Sequence, residues 1–119
     1  MAKILITDDS AFMRRLIRDT LQKHGYMDII EAKDGIEACE KFVSENPDLI
    51  IMDITMPNMT GLEALAEIKK NNPKAIIIMC SAMGQELMVV DAINLGAVDF
   101  IVKPFKPGRL IQVVKKFLG

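Results

Sequence analysis

The run Asp48-Leu49-Ile50-Ile51-Met52-Asp53 decides how the rest of the chain is read. Four apolar residues lead to one carboxylate, and the turn-forming stretch Ile54-Thr55-Met56-Pro57-Asn58 follows at once. An apolar run this short, bounded by Pro47 and Pro57, predicts a buried strand rather than a helix. Asp53 then ends that strand. In an open parallel sheet, ligands bind at the carboxyl ends of the strands.

Comparable runs lie on both sides of it. Ile4-Leu5-Ile6-Thr7 predicts a strand ending in Asp8-Asp9, and Ala75-Ile76-Ile77-Ile78-Met79-Cys80 one ending at Ser81. Asp28-Ile29-Ile30-Glu31 predicts a shorter strand at an edge, and Phe100-Ile101-Val102 a last one ending at Lys103-Pro104. Helical periodicity fills the intervals. Asp9 or Ser10 can cap a first helix with Phe12, Met13, Leu16, Ile17 and Leu21 on one face and Arg14, Arg15, Arg18 and Lys23 turned away, ended by Gly25. Asp34-Gly35-Ile36-Glu37 has the form of a capping box, with Ile36, Cys39, Phe42 and Val43 lining the helix and Asn46-Pro47 stopping it. Thr60-Gly61-Leu62-Glu63 repeats that form ahead of Leu62, Leu65 and Ile68, and Asn72-Pro73 closes the third helix. A fourth is expected over 84–95, closed by Gly96. The fifth presents Leu110, Ile111, Val114, Phe117 and Leu118 opposite Lys115 and Lys116.

Five strands alternating with five helices predict a parallel sheet covered on both faces, because strands buried on two sides show no polar alternation. The expected fold is a doubly wound five-stranded parallel sheet in the order 2-1-3-4-5, with its switch point between the first and third strands. The strands meeting there end in Asp8-Asp9 and in Asp53.

Composition narrows the function. The chain of 119 residues is read as one domain, 1–119, large enough to fold without disulfides or structural metal. Fifteen basic and 16 acidic residues give a net charge of −1, which argues against a nucleic-acid surface. Cys39 and Cys80 match no metal-ligand spacing and, among apolar neighbours, read as buried thiols of a reducing cytosol. The N-terminus reaches acidic residues too soon for a signal peptide, and no apolar run has transmembrane length. A cytoplasmic protein is expected.

Four strand ends deliver a polar group to one edge: Asp8 with Asp9, Asp53, Ser81 and Lys103. Taken singly, each has a plain structural use, as a helix cap, a turn residue or a solvated lysine. Their convergence points to chemistry. Three neighbouring carboxylates repel unless a proton or cation intervenes, and an oxygen-only cluster suits Mg²⁺. A lysine and a hydroxyl beside it suit a phosphoryl group. A carboxylate can itself be the nucleophile, giving an aspartyl-phosphate, and Asp53 on the central strand is best placed.

These residues resemble a family. Asp8-Asp9, the run Met52-Asp53-Ile54-Thr55-Met56-Pro57 with Gly61, Ser81-Ala82 and Lys103-Pro104-Phe105 look like the receiver domain of response regulators, over essentially the whole chain. Within it, Asp9-Ser10-Ala11-Phe12-Met13-Arg14 is most similar to the single-domain chemotaxis regulators. The resemblance implies a flavodoxin-like fold and a phosphoacceptor switch of a two-component system, with Asp53 taking phosphate from a histidine kinase's phosphohistidine. It implies Mg²⁺ held by Asp9 and Asp53 directly, Asp8 mainly through water, and the backbone carbonyl of Thr55. Ser81 and Lys103 would contact the phosphoryl oxygens, Phe100 would be the aromatic switch, and the peptide before Pro104 would be cis. Output is expected through the face of the fourth helix, fifth strand and fifth helix onto a protein target such as a flagellar motor switch component, with a phosphatase as a further partner. Such a protein promotes only its own phosphorylation and dephosphorylation.

Two rivals fit less well. A metal-dependent phosphohydrolase of the haloacid dehalogenase kind would place a second Asp at position 55, where Thr55 stands, and would carry a cap. A flavodoxin-like cofactor binder needs a first loop of hydroxyls and free amides for its anion, which Asp8-Asp9 would repel. His24 at a helix end reads as a charge–dipole contact, the Arg14-Arg15 and Lys115-Lys116 pairs as solvated faces, and most of the nine methionines as core. In the fourth helix Met88, Ala92 and Leu95 form one stripe, and Val89 and Ile93 a second that is expected to face a partner.

Overall fold

A computed structural model describes residues 2–119. The strands are β1 (Lys3–Thr7), β2 (Asp28–Ala32), β3 (Leu49–Asp53), β4 (Ile77–Ser81) and β5 (Asp99–Val102). The helices are α1 (Ala11–Lys23), α2 (Gly35–Glu45), α3 (Gly61–Asn71), α4 (Glu86–Asn94) and α5 (Pro107–Leu118). All strand pairs are parallel and run in the order β2-β1-β3-β4-β5. Fold and strand order are as the sequence predicts.

Alternate strand residues feed two separate cores. Leu5, Ile50, Met52, Ile77 and Met79 pack beneath α2, α3 and α4. Ile4, Ile6, Ile51, Ile78 and Ile101 pack against Ile17 and Leu21 of α1 and Leu110 and Val114 of α5. Burial on both faces explains why these strands read as continuous apolar runs. Among the described residues, no helix is long and apolar enough to cross a membrane.

The ends follow local chemistry. Ser10 Oγ accepts from the Met13 N–H, which makes Ser10 the cap of α1. Thr60 and Glu63 form a complete capping box on α3. At α2 only half the expected box forms: Asp34 Oδ1 accepts from the Glu37 N–H, while its Oδ2 accepts from Asn58 Nδ2 in the β3–α3 loop. Asn46 and Gly25 take positive φ at the ends of α2 and α1.

Several helix faces differ from expectation. On α1, Phe12 is 72% exposed and Leu16 is exposed too, because the helix rests on Ile17, Thr20 and Leu21; the Thr20 hydroxyl is satisfied by the Leu16 carbonyl. On α2, Val43 is 76% exposed and Ile36 is exposed, while Ala38 and Phe42 carry the packing. The stripes of α4 divide otherwise than predicted: Val89 and Ala92 turn inward, whereas Met88, Ile93 and Leu95 lie open. The helix is short, and its contact with the sheet runs along the 89–92 line. β2 lies at the sheet edge but is as long as its neighbours, not shorter. Cys80 is buried, and burial pushes its thiol up to about 12; Cys39 is only half-buried.

Candidate functional site

Thr7, Asp53 and Ser81 are the last residues of β1, β3 and β4, so the parallel register carries Asp8, Asp53 and Ser81 to one edge. Asp53 stands opposite Cys80, one residue short of Ser81. Carboxylate oxygens of Asp8, Asp9 and Asp53 lie within 4.8 Å of one another. Asp8 is 2% exposed and Asp53 half-covered, whereas Asp9 faces solvent. Lys103 follows β5 and reaches across the edge. Its Nζ lies 2.7 Å from Asp8 Oδ2 and 3.3 Å from Asp53 Oδ1. The Lys103–Pro104 peptide is cis.

Electrostatics follow from that count of charges. Burial raises the Asp53 carboxyl above its ordinary value; the Lys103 ammonium opposes this, and Asp8 and Asp9 reinforce it. Burial works against the charge of Lys103, but its hydrogen bond to Asp8 and the charges of Asp53 and Asp8 outweigh it, so its pKa is raised as well. Burial is thus the main cause at Asp53, whereas at Lys103 the neighbouring carboxylates outweigh it. The donors are all oxygens, the set a small hard cation prefers, so Asp8, Asp9 and Asp53 fit Mg²⁺.

Ser81 is buried to 2% exposure, and its carbonyl accepts from the Lys103 N–H at 2.6 Å, which ties β4 to the turn that aims the lysine. Thr55 is exposed in the β3–α3 loop. Phe100 sits half-buried on β5 against the core below α4. Beside it, a cavity of about 470 Å³ opens between α4 and β5, lined by Ser81, Met83, Val90, Ile93, Phe100 and Val102 among others. All the site residues named from sequence therefore lie at this edge or beside it.

Four contributors escaped the sequence reading. Arg14 is not a solvated residue: its Nη1 donates to the Asp8 carbonyl at 2.7 Å, and its Nε to Glu31 Oε1 at 2.9 Å. Arg18 holds the other oxygen of Glu31, so a guanidinium pair fixes the main chain under Asp8. The i,i+4 spacing of Arg14 and Arg18 puts both on one helix face but does not point to Glu31 as their partner. Asn58, at φ +67, holds Asp34, and Gln85 joins two loops; neither has a signature in the sequence.

Comparison with known proteins bears on this edge. Residues 4–115 match the family described as response regulator receiver domain. The chain is 54% identical over 117 residues to the chemotaxis protein CheY of Bacillus subtilis, covering 98% of each. It is 52% identical over 114 residues to that of Thermotoga maritima, covering 96% of this chain and 95% of that protein. The crystal structure of the receiver domain of NtrX from Brucella abortus superposes with a TM-score of 0.92 at 36% identity, covering 98% of each chain.

Proposed function

The chain belongs to the response regulator receiver domain family, and from that premise we propose that it is a phosphoacceptor switch with Asp53 as the acceptor. The observation carrying this reading is the meeting of Asp53 with Asp8, Asp9 and Lys103 at the carboxyl edge. An Asp53 oxygen attacks the phosphorus of a histidine kinase's phosphohistidine. A P–O bond forms as the P–N bond breaks, and the imidazole leaves with that electron pair. Lys103 is within reach to turn from Asp8 toward the phosphoryl oxygens, and the Ser81 hydroxyl is a donor on the neighbouring strand. Asp8, Asp9, Asp53 and the Thr55 carbonyl would hold Mg²⁺, which when bound offsets charge on the transferring oxygens. The chain acts on no separate substrate and promotes only its own phosphorylation and dephosphorylation.

Output runs by protein contact through the face of α4, β5 and α5. The open side chains of Met83, Leu87, Val90 and Val102 and the groove beside Phe100 support that choice. Because the relatives cited are chemotaxis proteins, we assign the switch to chemotaxis, in the cytoplasm. Its target would be a flagellar motor switch component and a phosphatase would reset it, with residues 1–119 acting as one receiver domain. The test is intact mass after incubation with acetyl phosphate, with and without Mg²⁺. Wild type should gain one phosphoryl group only with Mg²⁺, and Asp53→Asn should gain none; undiminished labelling of the variant would sink the assignment.

A further inference from the structure

Gln85 stands at the N-terminal cap of α4 yet makes no side-chain cap bond to that helix. Its amide is used elsewhere. Oε1 accepts from the Ala82 N–H at 2.6 Å, and Nε2 donates to Thr55 Oγ1 at 2.8 Å. The Ala82 N–H can only donate, so it must meet the amide oxygen, which leaves the NH₂ group for Thr55. Thr55 lies two residues beyond Asp53, and Ala82 one beyond Ser81. The β3–β4 ladder ends with the Ile54 N–H on the Cys80 carbonyl at 3.0 Å. Gln85 thus prolongs the pairing of these strands past the sheet, through one half-buried side chain. The segment it pins, Ala82-Met83-Gly84, contributes Ala82 and Met83 to the groove beside Phe100, and Gly84 sits at φ +88.

We propose that Gln85 is a positioning residue that clasps the β3–α3 loop to the β4–α4 loop and holds both in the unphosphorylated arrangement. This rests on the phosphoacceptor reading of Asp53. A phosphoryl group there brings new acceptor oxygens, and the nearby donors rearrange toward them. Ser81 moves toward Asp53 only if the loop that begins at Ala82 moves with it, and the clasp opposes that movement. A group stabilising one of two arrangements weakens any ligand that selects the other. Removing the clasp should therefore tighten binding of a phosphoryl mimic by about fivefold, the factor carried by one net hydrogen bond.

The experiment is calorimetric titration with beryllofluoride in Mg²⁺ for wild type, Gln85→Met, Thr55→Val and the double variant. Met keeps the length of the side chain without either hydrogen bond, and Val removes the hydroxyl but keeps the Thr55 main chain. Gln85→Met should bind about fivefold tighter, and Thr55→Val should shift the same way. The double variant should go no further than Gln85→Met alone, since both substitutions break one link. Mere structural damage would lower thermal stability and weaken binding together, so tighter binding separates positioning from damage. If wild type gains phosphate at Asp53 from acetyl phosphate but Gln85→Met binds the mimic equally or more weakly, the clasp is overturned alone. If wild type gains none, the phosphoacceptor reading falls, and the clasp falls with it.

Discussion

Lys103 holds Asp8 more closely than Asp53, at 2.7 Å against 3.3 Å, so Asp53 is the less compensated of the two carboxylates. Its carboxyl is raised above the ordinary 3.8, mainly by burial, so ionising it opposes folding. The sign follows. The unfolded chain releases this proton at lower pH than the folded one, so the penalty is complete above the folded value and fades as pH falls toward 3.8. Asp53→Asn should accordingly raise the thermal midpoint of the metal-free protein near pH 7, with the gain shrinking as pH falls toward about 4 and absent below it. Asp34 runs the opposite way. The Glu37 N–H, with the Asn58 amide, lowers its carboxyl, so its contribution is present above 3.8 and is lost as pH falls through the folded value. Thermal melts of both Asn variants across pH 3 to 7 would check the two signs. A loss of stability near pH 7 for Asp53→Asn would contradict the first.

The β3–α3 connection depends on one missing side chain. A Cβ on Gly61 would lie 2.0 Å from the Asp53 carbonyl oxygen, and the Gly61 N–H already donates to the Ile54 carbonyl at 2.7 Å. The capping box of α3 therefore seats its first turn directly on the end of β3. Gly61→Ala must push either the helix or Asp53 away. Overpacking of this kind costs about 1–3 kcal/mol, and here the displaced atoms include the main chain of Asp53, the proposed phosphoacceptor. The variant should lose that much in urea denaturation and be phosphorylated more slowly by acetyl phosphate; unchanged values for both would show that the contact relaxes freely. The cap was legible in Thr60-Gly61-Leu62-Glu63. The close approach was not, because it joins two elements.

For the molecule as a whole, burial ranks residues that composition treats alike. Ile51 is 1% exposed between α1, α5 and the neighbouring strands, whereas Val43 is 76% exposed on α2. Ile51→Ala should cost about 2–5 kcal/mol through lost transfer energy and a cavity. Val43→Ala should change stability by less than about 0.5 kcal/mol. Urea unfolding of both would test whether the sheet is covered on the α1–α5 side as described, and a small loss for Ile51→Ala would contradict it.

The sequence by itself determined the five strands, their parallel pairing and the four polar strand ends. A strand buried on both faces is written as an apolar run, and the residue that leaves the sheet is the next one in the chain. Tertiary structure decided the rest. Phe12, Leu16, Ile36 and Val43 fit the helical period, but a short helix on a twisted sheet is covered along one narrow line, set by how its neighbours dock. Arg14 meets Glu31 across 17 residues and Gln85 meets Thr55 across 30. Neither pair leaves a trace in local spacing, since each exists only once β1 lies beside β2 and β3 beside β4.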